Sequence, residues 1–363
     1  KVATGSLGCG LSIGLGEAFA GRLSKRTYST YVLMGDSECA EGSIWEAAML
    51  ASHYKLNRLI GIVDCNRLGQ TGETIYGHDV ENLGNKFVAF GWKVHYIDGH
   101  SIEDIQKGFD QAHLSQDKPV MIIAKTLKGK GLVLAENKET YHGKILSKEQ
   151  LKEALGNLDE PVYNGPEWKP NAPKRSLLSL PKKVKIPLPS YYEPIATREV
   201  YGDALVALGK KSQSIIALDA EVKNSTYAQK FEEYDSTRFI QCFIAEQNMI
   251  GIGVGLSVHD YIPFIGTFGA FFTRAYDQIR MAAIAKSPLR LVGSHVGVSI
   301  GQDGPSQMAL EDIALMRALP QSVVLYPCDA VSTYKLMELM ANHHNGISYM
   351  RTTREKTDLI YKS

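Results

Sequence analysis

The stretch Tyr31-Val32-Leu33-Met34-Gly35-Asp36-Ser37-Glu38 decides how this chain folds. An apolar run without polar alternation suits a strand covered on both faces, as in parallel sheets. The run stops at a glycine and a carboxylate, and a helical pattern follows near 42–54. The same unit recurs on either side. Apolar or β-branched runs occupy 28–34, 58–64, 92–97 and 120–125, with helical patterns near 42–54, 81–90 and 101–113 between them. Farther along, runs at 214–218, 239–244, 262–267, 289–293 and 323–326 alternate with helical patterns near 196–211, 246–258, 269–286, 306–317 and 329–343. This alternation predicts an α/β protein of two doubly wound parallel-sheet domains. Ligands of such sheets sit beyond the carboxyl ends of the strands.

Proline marks the boundary. Eight of the fourteen prolines lie between Pro161 and Pro194, in a basic stretch without apolar periodicity. It reads as an extended linker. The expected division is 1–160, a linker at 161–194, and 195–363. The 363 residues are 44% apolar and 22% charged, the composition of a globular chain. A net charge of +1 supplies no electrostatic reason to expect nucleic acid or an anionic membrane as partner. No apolar run reaches the ~18–20 residues of a membrane span. Cys9, Cys39, Cys65, Cys242 and Cys328 are far apart and form no Cys-x-x-Cys. A disulfide framework and a structural zinc site are not expected, and a reducing, cytoplasmic compartment is. The chain opens on Lys1, and a fragment with material missing at both ends is expected.

Two strand ends carry chemistry. One is Gly35-Asp36-Ser37, and the next is Asp64-Cys65-Asn66-Arg67-Leu68. A carboxylate and an amide oxygen at neighbouring strand ends suit a hard divalent cation that shares its sphere with phosphates. Gly5-Ser6-Leu7-Gly8-Cys9-Gly10 is a second candidate phosphate loop. It superficially fits a dinucleotide loop, but no strand precedes it, and a dehydrogenase reading leaves Asn66 without a role.

The pair Gly35-Asp36 and Asn66 resembles the diphosphate–metal motif of thiamine-diphosphate enzymes. Over essentially its whole length the sequence resembles the transketolase family, animal type. Glu41-Gly42-Ser43-Ile44-Trp45-Glu46-Ala47, Asn66-Arg67-Leu68-Gly69-Gln70 and Tyr141-His142-Gly143-Lys144 carry the likeness before the linker. After it come Ala245-Glu246-Gln247-Asn248-Met249, Phe271-Phe272-Thr273-Arg274-Ala275, Gly301-Gln302-Asp303-Gly304-Pro305-Ser306-Gln307 and Arg351-Thr352-Thr353-Arg354. The chain departs from the family in carrying Ser37 where glycine is usual. As a fragment it is expected to be a piece without the family's N-terminal segment and C-terminal domain.

The resemblance implies two domains of the thiamine-diphosphate-binding fold, the first for the diphosphate and the second for the pyrimidine. It implies Mg²⁺, with Ca²⁺ or Mn²⁺ as substitutes, held by Asp36, Asn66 and the carbonyl of Leu68. Gly5, Ser6, Leu7, the Ser37 amide, Asn66, Lys128 and His142 would contact the cofactor before the linker. Phe271 and Gln307 would meet the pyrimidine after it, with Phe268 and Tyr276 lining the pocket. Glu246 would share a proton with the ring. His142 and His295 would shuttle protons at the reacting carbon. Arg198, Ser225 and Arg354 would clamp the sugar phosphate, for which arginine's fork is suited, and Asp303 would read a hydroxyl. The implied activity is transfer of a two-carbon ketol unit from xylulose 5-phosphate to ribose 5-phosphate, in the pentose phosphate pathway, by a homodimer with interfacial sites. The rivals are a dihydroxyacetone or deoxyxylulose phosphate synthase on the same scaffold, and a non-catalytic transketolase-like binding or regulatory protein.

Overall fold

The computed structural model describes residues 2–158 and 183–362. In chain order the strands are β1 (Thr30–Gly35), β2 (Leu59–Cys65), β3 (Lys93–Asp98), β4 (Val120–Lys125), β5 (Ile195–Ala196), β6 (Ile215–Asp219), β7 (Phe239–Gln241), β8 (Ile262–Phe268), β9 (Arg290–Ser294), β10 (Val323–Leu325), β11 (Ser348–Arg351) and β12 (Lys356–Thr357). The helices are α1 (Cys9–Leu23), α2 (Gly42–His53), α3 (Val80–Ala89), α4 (Ile102–His113), α5 (Lys148–Gly156), α6 (Thr197–Lys211), α7 (Lys223–Thr226), α8 (Gln229–Tyr234), α9 (Glu246–Val258), α10 (Tyr276–Ile284), α11 (Asp312–Arg317) and α12 (Ala330–Ala341).

Two compact units result, and they are not two consecutive pieces. Residues 31–40 and 60–179 form one, and residues 1–30, 41–59 and 180–363 form the other. The smaller unit is built on a sheet in the order β1-β2-β4-β3, with β4 parallel to both β2 and β3. Five of the six residues of β4 are buried, as a central parallel strand requires. The larger unit is built on a sheet in the order β10-β11-β9-β8-β6-β7, with β8 buried along its whole length. Its strands run parallel throughout. Both sheets match the expected fold class.

The helices α1 and α2 precede the proline-rich stretch, yet they pack in the larger unit. The reason is α1 itself, which buries eleven of its fifteen residues. Its natural partner is α9, which is equally apolar. Glycines let the two backbones touch. A Cβ at Gly16 would meet the carbonyl oxygen of Ile252 at 2.2 Å, and one at Gly255 would meet that of Ile13 at 2.2 Å. Each glycine costs about 1 kcal/mol of helix propensity, which the close approach offsets.

Of the proline-rich stretch, 161–182 lies outside the described residues. Residues 183–194 run extended along α12, where Val184 N–H donates to Asn342 Oδ1 (2.8 Å) and Ile186 N–H to Glu338 Oε2 (2.8 Å). Three elements differ from the sequence reading. The run expected at 239–244 pairs only to Gln241, because Phe243 turns out of the strand at φ 54°. The helix expected at 306–317 begins at Asp312, since Gly301 and Gly304 take φ of 81° and 79° and Pro305 follows. The helix expected at 269–286 opens as a 3₁₀ turn, Gly269–Ala275, before α10.

Candidate functional site

In the smaller unit, the strand ends of β1 and β2 bring four expected residues together. Asp36 is 2% exposed at the end of β1. Its Oδ1 accepts the Ser37 N–H (2.8 Å) and its Oδ2 the Arg67 N–H (2.7 Å). Asn66 Oδ1 accepts the Leu68 N–H at 3.1 Å. Arg67 sits at φ 64°, which bends the chain back on itself between the two. Burial raises the Asp36 pKa, and nearby Asp64 adds to the rise, while the two backbone donors oppose it. A cation would remove that penalty. The donors on offer are a carboxylate, an amide oxygen and the Leu68 carbonyl, all hard oxygens of the kind Mg²⁺ takes. Each Asp36 oxygen keeps a lone pair beyond its one N–H. Among the described residues no cluster of three His, Cys, Asp or Glu side chains could hold a metal alone. A donor set of three oxygens leaves the other positions of a six-coordinate cation to phosphate and water. One detail departs from expectation: the Ser37 amide, expected to face a diphosphate, is engaged by Asp36. Lys128 lies on the loop after β4, and its carbonyl accepts the Asn137 N–H at 2.8 Å. His142 is exposed on a turn after Glu139–Tyr141, and no hydrogen bond among the described residues joins it to Asp36 or Asn66.

The larger unit assembles a stacked column. A 3₁₀ turn has three residues per turn, so positions three apart eclipse. Phe268, Phe271 and Arg274 therefore lie one over another. The Phe268 and Phe271 rings stack at 5.3 Å and 6°, and the Arg274 guanidinium sits 4.7 Å over Phe271. Below Phe268 the His295 ring stacks at 3.9 Å and 16°. Above, Arg274 Nη1 meets Glu246 Oε1 at 2.6 Å. Tyr276, expected to line the same pocket, gives its hydroxyl to the Leu315 carbonyl (3.0 Å) and makes no ring contact with the column. Phe272 is fully buried against Tyr349.

Glu246 is 4% exposed and is the first residue of α9. A carboxylate there is favoured by the helix dipole. No side chain at Ala245 caps the helix; instead Glu46, from α2, accepts the Asn248 N–H at 3.1 Å. Burial raises the Glu46 pKa, and the Glu246 charge raises it further, partly offset by the Asn248 N–H and Arg274. Two carboxylates thus share one helix start. The sequence reading quoted Glu46 and Arg274 within motifs but gave neither a role. Only the spacing of three between Phe268, Phe271 and Arg274 pointed to the second.

His295 is 2% exposed and stands at φ 57°. Burial lowers its pKa to about 4, helped by Arg198 and Arg354 and opposed by Asp303. The ring is therefore neutral near pH 7, and Ser294 Oγ lies 2.9 Å from its Nδ1. Arg354 Nη1 bonds Asp303 Oδ2 at 3.0 Å and also meets the Ile300 carbonyl. Arg198 Nη1 donates to the Ser225 carbonyl at 2.9 Å. The Arg198 Nε is buried with no hydrogen-bond partner among the described residues. Ser6 Oγ donates to Asp277, and the exposed Gly5 and Leu7 flank it. Gln307 accepts from the neighbouring Ser306 hydroxyl.

Against known proteins, residues 1–164 match the family described as "Transketolase, thiamine diphosphate binding domain", and residues 193–358 match "Transketolase, pyrimidine binding domain". The chain belongs to the transketolase family. It is 46% identical to the transketolase of Homo sapiens over 368 residues, covering 100% of this chain and 58% of that protein. It is 44% identical to transketolase-like protein 2 of Mus musculus, over 99% of this chain and 58% of that protein. Among solved structures it resembles the transketolase from Campylobacter jejuni, with a TM-score of 0.88 and 27% identity over 99% of this chain and 63% of that one. The chain thus spans somewhat more than half the length of these relatives. The transketolases share the thiamine-diphosphate-binding fold with it.

Proposed function

We propose that this chain belongs to a thiamine-diphosphate- and Mg²⁺-dependent transketolase that moves a two-carbon ketol unit from a ketose phosphate such as xylulose 5-phosphate to an aldose phosphate such as ribose 5-phosphate. The observation that carries the reading is Glu246: a nearly buried carboxylate at a helix start, ion-paired to the arginine that stacks on Phe271. The bound cofactor supplies a carbon nucleophile and electron sink. Asp36, Asn66 and the Leu68 carbonyl would hold Mg²⁺, and Lys128 would meet the diphosphate. Gly5, Ser6 and Leu7 offer backbone contacts. Phe271 is read as the pyrimidine's stacking partner; since Phe268 and Arg274 stack on it here, Arg274 would leave its face for the ring to bind, and Glu246 supplies a carboxyl group beside it. Arg274 already binds Oε1, so Oε2 is the oxygen left to meet the ring. Neutral His295 can accept a proton from a substrate hydroxyl, and His142 is read as its counterpart. Arg198, whose Nε lacks a partner, and Arg354 fit the sugar phosphate, with Asp303 beside Arg354 placed for a hydroxyl.

A second reading, a non-catalytic transketolase-like protein, is favoured by Ser37, which adds a hydroxymethyl group where the family usually has glycine. The deciding assay uses the full-length protein with xylulose 5-phosphate and ribose 5-phosphate, with and without thiamine diphosphate and Mg²⁺. Cofactor-dependent ketol transfer supports the enzyme. Cofactor binding without turnover supports the second reading. The same proposal places the protein in the cytoplasm as a homodimer.

A further inference from the structure

One peptide group next to Lys128 is gripped from both sides. The Thr126 carbonyl lies 3.0 Å from His78 Nε2, and the N–H of Leu127, the other half of the same peptide, lies 2.7 Å from His100 Nε2. A carbonyl only accepts, so His78 carries its proton on Nε2. An amide N–H only donates, so His100 Nε2 is bare and its proton sits on Nδ1. The two histidines are therefore fixed in opposite tautomers. Two further contacts hold the same residue: Thr126 N–H donates to the Cys65 carbonyl (3.1 Å), and its hydroxyl bonds Asp64. His100 is itself placed by a turn in which its N–H donates to Asp98 Oδ1 (2.9 Å) and Gly99 N–H donates to the Lys125 carbonyl (2.9 Å). That turn lies directly on Thr126, since a Cβ at Gly99 would come within 2.4 Å of Thr126 Cγ2.

We infer that His78 and His100 form a clamp that sets the peptide Thr126–Leu127 and through it aims Lys128 at the diphosphate. Both are positioning residues, and neither is catalytic. This role of the clamp rests on Lys128 being a cofactor contact. Without the clamp the loop retains Thr126 but loses the orientation of the plane one residue before the lysine. The two rings line a cavity of about 590 Å³ beside Tyr96, Lys125 and Lys130, so the side chains can be exchanged there without overpacking.

The test uses the full-length protein and thiamine diphosphate with Mg²⁺ as probe. In ¹⁵N-histidine-labelled protein, His78 is expected as the Nε2–H tautomer and His100 as the Nδ1–H tautomer. His78→Leu and His100→Leu are each expected to speed amide hydrogen exchange in the 126–131 segment and to weaken cofactor binding about two- to tenfold, the value of one hydrogen bond. His78→Gln and His100→Gln, which offer a donor and an acceptor at a similar reach, are expected to restore both. In a Lys128→Ala background, His100→Leu should weaken cofactor binding no further. Unchanged exchange in the leucine variants, or weakened binding that glutamine does not rescue, overturns the clamp. If Lys128→Ala alone leaves cofactor affinity intact, the reading of Lys128 fails, and the inferred aiming falls with it. The exchange data then still report whether the histidines hold the loop.

Discussion

The backbone contact between α1 and α9 makes Gly255→Ala a sharp perturbation. The new methyl carbon would sit 2.2 Å from the Ile13 carbonyl oxygen, 2.7 Å from the Glu17 nitrogen and 2.8 Å from the Gly16 Cα. All three are backbone atoms, so no side chain can swing aside and the helices must part. Overpacking of this kind costs about 1–3 kcal/mol. Alanine returns about 1 kcal/mol of helix propensity. Because nothing flexible yields, the upper part of the cost applies, and a net loss of about 1–2 kcal/mol is expected. Gly253→Ala in the same helix is the control. There the methyl meets Ile265 Cδ1 at 2.4 Å, the far end of a side chain that can rotate. Its penalty should be smaller, and the propensity gain is the same. Denaturant titration of the full-length protein measures both. The Gly255 variant should also bind cofactor more weakly, because Glu246 opens the same helix. A Gly255→Ala protein as stable as wild type, or a Gly253→Ala protein that loses more, would refute the idea that backbone contact governs this packing.

Other outcomes are expected. Asp36→Ala should weaken Mg²⁺-dependent cofactor binding by about 10–100-fold or more, since partners one step removed from a metal already cost that much; cofactor titration with and without Mg²⁺ checks it, and unchanged metal dependence refutes it. Glu246→Gln should fold and bind cofactor yet lose about 10²–10⁴ in turnover, the scale of a general acid or base, as read by kcat at saturating cofactor. Mixing an Asp36→Ala chain with a Glu246→Ala chain, each inactive alone, should restore up to about half the activity per mixed dimer if sites are shared across a two-fold axis; no recovery despite demonstrated exchange refutes shared sites. The last concerns pH. His295 titrates at about 4 in the folded chain against an ordinary 6.5, so the unfolded chain binds the extra proton between those values. Its contribution to stability is full above pH 6.5 and is lost as pH falls through 4. His295→Gln should flatten that part of the curve of unfolding midpoint against pH, and an unaltered curve would count against it.

Much of the architecture was legible because fully apolar strands announce parallel sheets, and β4 and β8 are plain cases. Asp36 and Asn66 were legible as a pair because strand ends are where such sheets expose chemistry. Less visible was the 3₁₀ turn at 269–275, whose apolar content also suits an α-helix. Without it Phe268, Phe271 and Arg274 read only as one side of an α-helix and not as an eclipsed stack. Glu46 was hidden for a different reason: it caps α9 from 202 residues away in sequence, and no local pattern reports so distant a partner. The grouping of α1 and α2 with the larger unit was likewise invisible to a division drawn at prolines. Only the glycines of α1 and α9, costly in a lone helix, hinted at a backbone neighbour.

The union of α1 with α9 has a consequence for biosynthesis. Leu23 leaves the ribosome roughly 230 residues before Gly255, and at about 5–20 residues per second that is an interval of roughly 10–50 s. Throughout it an almost wholly apolar helix has only α2 beside it and lacks the partner that covers its glycine face, the kind of surface that chaperones bind and that aggregates when they do not. The order of synthesis is the reverse of what the core needs, because α1 is made long before the helix that closes its glycine face. A segment starting at residue 193 would meet the mirror-image difficulty: α9 would be made with its glycine face open and no α1 to close it.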